Sequence, residues 1–280
     1  MKEYQQQILL KEMKEIQLFD GKLYDHDWLI EQSYDDEFYY GFLGKNALSS
    51  SSVKKILDSP KTYWNLQQYG EETNSQALRD GRLIHMMVLE PHRLDELVFC
   101  ETTTKTTKVW KEMSAEHPKH VLYTNKEKYN AERIADAVFK NEKARELLSN
   151  SRFEVPAVGY IEGIPFRGKA DILKNSGGIV DLKTTADLKN FVYSARFKFS
   201  YGVQVYIYCQ LFNCDYTDFD FLVIDKASCD IGVYSCTADF YNAGEEKVHY
   251  ALEQYNHFFA GKEKLEVQDM LHDYYIHGAL

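Results

Sequence analysis

The spacing of apolar and polar residues divides the chain into a helical first half and a mixed second half. Residues 3–18 place Ile8, Leu9, Leu10, Met13 and Ile16 on a broad apolar stripe, which predicts a short amphipathic helix. The aromatic and acidic stretch 19–42 has no clear period. Four serines, Ser49 to Ser52, then precede Val53, Ile56 and Leu57; serine is a good N-cap, the spacing is helical, and Pro60 closes the element. A second helix is expected from about residue 75 to 90, stopped by Pro91. The threonine- and lysine-rich run 102–108 reads as a polar loop. Thr124 and Glu127 have the spacing of a capping box, ahead of a long helix carrying Ile134, Ala135, Val138 and Leu148.

From residue 153 the period shortens to two. Strands are expected at 153–161, 165–173 and 179–183, joined by turns at Glu162-Gly163 and over 175–178. Helical stretches at 187–197 and 200–213 follow, then strands at 219–226 and 231–236, a last helix over 238–259 and a polar tail. Helices, a three-stranded meander, a helix, strands and a helix describe one α/β domain. It is placed at 47–265, with 1–46 an extension packed on the body or in an oligomer contact, and 266–280 a tail.

Composition changes this picture little. A hydrophobic content of 44% supplies a core for one large domain, and no apolar run reaches the roughly 18 residues that span a bilayer. The N-terminus, Met1 to Gln7, lacks the apolar stretch of a signal peptide, so an intracellular, cytoplasmic location is expected and no membrane partner. The five cysteines form no C-x-x-C pair and read as free thiols rather than cluster ligands. Net charge of -10 argues against a broad nucleic-acid surface, although it is a mean and leaves room for a local basic channel.

Candidate chemistry comes from strand alternation. Arg167, Lys169 and Asp171 should share one face of their strand, with Phe166, Ala170 and Ile172 on the other. In the next strand Ile179, Asp181 and Lys183 share a face, opposed by Val180 and Leu182. A hairpin centred on Ser176 sets Asp171 opposite Asp181, and two facing carboxylates need a compensating cation. A hard divalent ion such as Mg²⁺ meets that need. Lys183 lies two residues along the same face, where its ammonium can approach a metal-held phosphate. D-x-K alone is a common tripeptide. His85 sits on the stripe of its helix with Leu78, Gly81, Val88 and Leu89, where a histidine is ordinarily a hydrogen-bonded core residue. Gln204 and Tyr208 are one turn apart on one helix face, which by itself is an amphipathic edge.

Taken together, His85 in G-R-L-I-H-M-M-V-L-E-P, G-K-A-D at 168–171, V-D-L-K-T-T at 180–185 and Q-V-Y-I-Y at 204–208 resemble one family. They look like the RecB-type branch of the PD-(D/E)XK nucleases, most closely the phage and prophage exonuclease VIII (RecE-like) group. Ala47-Leu48-Ser49-Ser50-Ser51-Ser52 with Ser59-Pro60 is similar to that group's N-terminal signature. The resemblance implies a restriction-endonuclease-like α/β core, with a central mixed sheet, an antiparallel meander and flanking helices. It implies digestion of linear double-stranded DNA from an end, 5′-to-3′, leaving a 3′ overhang for recombination. It also implies Mg²⁺, two ions per site with Mn²⁺ able to substitute, a single-strand annealing or recombinase partner, and a ring of identical subunits.

Carried over by residue, His85, Asp171, Asp181 and the main-chain carbonyl of Leu182 would bind metal. Lys183 would orient or activate the attacking water, and Gln204 and Tyr208 would line the site. Glu154 would stand behind the ligands, whereas Glu90 lies about 140° around the helix from His85 and is not expected to share metal. Ser49 and Ser51 at a helix N-terminus would receive a 5′ phosphate. Arg82, Lys169, Lys105, Lys108 and Lys111 would touch the DNA backbone. The alternatives are an endonuclease of the same fold and a non-catalytic DNA-end-binding protein.

Overall fold

A computed structural model describes residues 14–70, 75–118 and 120–276. Of the helix expected over 3–18, residues 3–13 lie outside the described residues. Its end is strand: β1 (Glu15–Gln17) pairs antiparallel with β2 (Leu23–Asp25). The local period there is two, with Ile16 buried between exposed Glu15 and Gln17. Helix α1 (His26–Gln32) starts where the Asp25 carboxylate accepts the Trp28 N–H, and a π-helical turn over Glu37–Phe42 follows. Ile16, Leu18, Leu29, Tyr39, Leu43 and Ala47 close a small apolar cluster over Val158.

Helix α2 (Ser50–Asp58) begins at Ser49, whose hydroxyl accepts the Ser52 N–H at 3.3 Å. Pro60 ends that helix and opens α3 (Pro60–Tyr69), because a proline without an N–H fits a first helical turn and Ser59 caps it. Next come α4 (Gln76–Leu89) and β3 (Val98–Cys100). A helix, α5 (Lys108–Glu116), starts at the end of the expected polar loop, with Thr107 as its cap. Strand β4 (Leu122–Thr124) pairs parallel with β3. The capping box of Thr124 and Glu127 is complete and opens α6 (Asn125–Lys140). The long helix expected to reach Leu148 breaks at Asn141, which has extended backbone and caps α7 (Glu142–Leu148) through its own side chain.

The central sheet contains β5 (Ser151–Ile161), β6 (Ile164–Lys174), β7 (Ile179–Thr185), β8 (Phe219–Asp225) and β9 (Ile231–Ser235), in that order. The first three form an antiparallel meander, β7 and β8 run parallel, and β8 and β9 are antiparallel. A parallel pair needs a long crossover. Residues 186–218 supply it, with helical turns at Phe191–Tyr193 and Ser194–Lys198 and then α8 (Tyr201–Phe212). Helix α9 (Ala238–Phe258) follows β9. The segment expected as a polar tail carries α10 (Lys264–His272), which buries Val267 and Leu271 against Phe258.

The sheet separates two apolar layers. On one side, Phe166, Ala170, Ile179, Phe221 and Val223 pack with α2, α8 and α9. On the other, Ile172, Val180, Leu182, Leu222 and Ile224 pack with α4, α6 and α7. Every residue of α8 from Gly202 to Cys209 is buried, as expected of a helix held between a sheet and another helix. Helices α8 and α9 touch backbone to backbone: a Cβ on Gly244 would lie 2.0 Å from the Gly202 carbonyl oxygen. Among the described residues no helix is long and apolar enough to cross a membrane.

Candidate active site

The site forms where two strand ladders break. Strands β5 and β6 pair from Ser151↔Lys174 to Ile161↔Ile164, except at Glu154 and Asp171. Glu154 has a positive φ of 49°, which takes its backbone out of the strand conformation. The side-chain alternation of β6 reverses at this step. Ala170 packs with Phe166 on the α8 side, whereas Ile172 packs with Val180 and Leu182 on the α4 side. The shared face expected for Phe166, Ala170 and Ile172 is therefore corrected.

Strands β6 and β7 pair only at Ile172↔Val180 and Leu173↔Ile179, the register of a hairpin centred on Ser176. One step further, where Asp171 would face Asp181, the strands part. Asp171 Oδ2 there accepts the Leu182 N–H at 2.8 Å, so a carboxylate replaces a main-chain partner. A strand residue points its N–H and C=O to the same side, so the Leu182 carbonyl also faces this gap.

Helix α4 delivers His85 to one side of the opening. The ligand atoms of His85, Glu154 and Asp171 all lie within 4.8 Å of one another, and His85 Nδ1 is 3.7 Å from Asp171 Oδ2. Asp181 lies outside that trio. Its Oδ1 accepts from Gln204 Nε2 at 2.5 Å, and its Oδ2 is buried without a hydrogen bond, in ion-pair contact with the Lys183 ammonium. Lys183 Nζ lies 5.1 Å from the centre of the Tyr201 ring, and Lys54 Nζ approaches the same ring at 5.0 Å.

Burial, and then the Asp181 charge, push the Asp171 carboxyl above the usual carboxylate range. Burial and Asp171 do the same to Glu154. For Lys183, burial disfavours the ammonium, but Asp181 and then Asp171 outweigh it, and the proton is held more tightly than on an ordinary lysine. Lys54 shows the opposite balance: burial and the neighbouring Lys183 charge lower it to about 8. Three carboxylates crowd together here, and among the described residues Lys183 is the one cationic side chain paired with them, through Asp181. A divalent cation fits that imbalance, with carboxylate oxygens and one imidazole nitrogen as its donors.

The other expected residues divide. Tyr208 does not reach the carboxylates by its hydroxyl; it donates to the Lys169 carbonyl at 2.9 Å and so holds the backbone of β6 two residues before Asp171. Its ring lies so close to Gly168 that a Cβ there would sit 3.1 Å from it. Lys169 is buried and paired with Asp36 at 2.9 Å, with its ammonium over the Tyr39 ring, which removes it from the residues free to meet phosphate. Lys105 is tied to Gln76 and Glu127, and Lys108 to Glu112. Ser49 is occupied as a cap, while Ser51 and Arg82 are exposed. Glu90 pairs with Arg93 and is not in the trio. Sequence reasoning missed Lys54 and Tyr201. The signal was present in the serine-capped helix that carries Lys54, but its ring partner is remote in sequence.

The fold and this arrangement are those of a PDDEXK-like protein. The model of the PDDEXK-like domain of unknown function DUF3799 matches residues 49–267, and the chain belongs to that family. No curated protein matches it in sequence. Among solved structures it is similar to a candidate exonuclease from Eubacterium rectale, with a TM-score of 0.60 and 16% identity, over 88% of this chain and 95% of that one. A phage related exonuclease from Haemophilus somnus 129PT aligns with a TM-score of 0.33 and 15% identity, over 75% of this chain and 94% of that one.

Proposed function

We propose that this chain is a divalent-metal-dependent exodeoxyribonuclease that hydrolyses phosphodiester bonds at the ends of linear double-stranded DNA. The observation that carries the reading is the buried Asp181 carboxylate. It is steadied by Gln204 on one oxygen, holds the Lys183 ammonium on the other, and acts by its charge on Asp171 of the His85–Glu154–Asp171 trio. A structural hairpin has no use for such a costly group.

His85, Glu154, Asp171, Asp181 and the Leu182 carbonyl are the residues that would hold Mg²⁺ or Mn²⁺, with room for two ions an expectation from the family resemblance. The bound cation would supply charge neutralisation and a more acidic water. Gln204 fixes the rotamer of Asp181 before any ligand arrives. Asp181 and then Asp171 hold the Lys183 proton more tightly than on an ordinary lysine, so its ammonium can oppose the negative charge that develops on the phosphoryl oxygens and orient the attacking water. Tyr208 holds the strand that carries Asp171. The 5′-to-3′ polarity, the 3′ overhang, the annealing or recombinase partner and a ring assembly are inferred from the resemblance to exonuclease VIII.

The test compares linear duplex with covalently closed circles, with Mg²⁺ and with EDTA. Linear DNA is expected to be degraded only with Mg²⁺, circles are spared, and Lys183→Ala is inactive. Rapid cutting of closed circles would make the protein an endonuclease of the same fold. Wild-type activity equal to that of Asp181→Ala would leave a non-catalytic DNA-end-binding protein.

A further inference from the structure

From Leu188 to Cys214 this acidic chain has three basic side chains and no acidic one. Of the basic residues, Arg196 and Lys198 fall in the helical turns just before α8, and Lys189 stands just ahead of them. The same turns expose aromatic rings. Tyr193 is 66% exposed and Phe197 71%, and their ring centres are 5.1 Å apart. Phe199, 41% exposed, stacks on Tyr201 at 5.3 Å with an interplanar angle of 21°. Tyr201 is the ring between Lys183 and Lys54. Two ring pairs thus lie along one segment, and the second of them reaches the lysine of the candidate active site.

We propose that this segment is a binding platform for single-stranded DNA, with Tyr193 and Phe197 stacking on unpaired bases and Lys189 and Lys198 meeting the phosphates. The inference rests on the nuclease reading and names the form of substrate that the site's mouth holds. Charge selects a polyanion, because a local positive segment stands out on a chain of net charge -10. Exposed rings beside basic side chains select unpaired bases, since each base offers a face for stacking and a duplex keeps those faces covered. Phe199 and Tyr201, a few residues along the same segment, reach Lys183, where a frayed or already digested end has to pass. Arg196 contributes less directly, because its guanidinium rests on the Phe240 ring at 5.4 Å.

Binding is measured by fluorescence anisotropy in EDTA, so that hydrolysis does not intervene, with labelled oligo(dT) and a blunt hairpin duplex as probes. The Tyr193→Ala/Phe197→Ala protein should bind oligo(dT) at least about fivefold more weakly, with a smaller change on the duplex. Phe197→Leu keeps the apolar bulk and should resemble the alanine change, while Phe197→Trp should retain binding. Equal oligo(dT) affinities for wild type and the double variant overturn the platform, as does a wild type that binds no oligo(dT). Unchanged affinity together with a shift to a smaller species in sedimentation makes the patch a contact between copies instead. Degradation of linear duplex by wild type, lost in Lys183→Ala, reports on the nuclease reading separately. A protein that degrades DNA while the double variant binds oligo(dT) normally loses only the platform.

Discussion

Glu154 and Asp171 face each other at the single interrupted step of the β5–β6 ladder, and His85 closes on them from α4. At that interruption the two carboxylates come within ligand distance of each other and of the histidine. Glu154→Gln keeps the shape and removes one charge. The variant should bind Mn²⁺ roughly tenfold more weakly or worse, while its metal-free form melts at a higher temperature than wild type in alkaline buffer. Calorimetric titration and thermal melts measure the two effects. Undiminished Mn²⁺ affinity would remove Glu154 from the ligand set.

Both carboxyls have folded pKa values above their ordinary ones. The folded state therefore holds protons that the unfolded chain releases from about pH 4 upward. The stability they contribute is complete below that value and is lost as pH rises through the folded pKa values. A bound cation offsets the exposed repulsion. The melting-temperature gain on adding Mn²⁺ should thus be larger near about pH 8 than near about pH 5. A gain of the same size at both values would mean that the cation binds elsewhere.

The β6–β7 register was legible because local chemistry sets it: a Gly177-Gly178 turn between two apolar runs leaves one pairing that buries Ile172, Leu173, Ile179 and Val180 together. The candidate D-x-K tripeptide and its helical neighbours were named from period and family likeness, and the structure sets Asp181 beside Lys183 and Gln204. The half-turn at Asp171 was not, because a left-handed glutamate has no favourable propensity and is held by its surroundings. Lys169 failed for a different reason. Its partner Asp36 is 133 residues away, in a stretch with no readable period, so nothing local revealed that its charge was already matched.

Gln204 and Tyr208 share a helix face but differ in what they touch, and their variants should separate. Gln204→Leu leaves buried Asp181 Oδ1 without its donor and should lower metal affinity or activity by about 10- to 100-fold. Tyr208→Phe removes one buried hydrogen bond to a strand carbonyl and should cost about 0.5–1.5 kcal/mol of stability with a much smaller loss of activity. Denaturant unfolding beside DNA digestion under one buffer distinguishes them. An inactive Tyr208→Phe protein of normal stability would show that the hydroxyl meets the substrate.

Glycine tests the same coupling between packing and site. A methyl group on Gly244 would lie 2.0 Å from the Gly202 carbonyl oxygen, and both atoms belong to backbone, so no side chain can swing aside. Helices α8 and α9 would have to separate. Gly244→Ala should cost roughly 1–3 kcal/mol or more, and because α8 also carries Gln204, activity should fall beyond what the lost stability explains at low temperature. Gly81 in α4 is the control, since a methyl group there meets nothing within 4 Å. Gly81→Ala should stabilise the protein by about 0.5–1 kcal/mol through helix propensity alone. If Gly244→Ala proves as harmless as Gly81→Ala, the backbone contact between α8 and α9 does not hold Gln204 in place, and the orientation of Asp181 depends on the sheet instead.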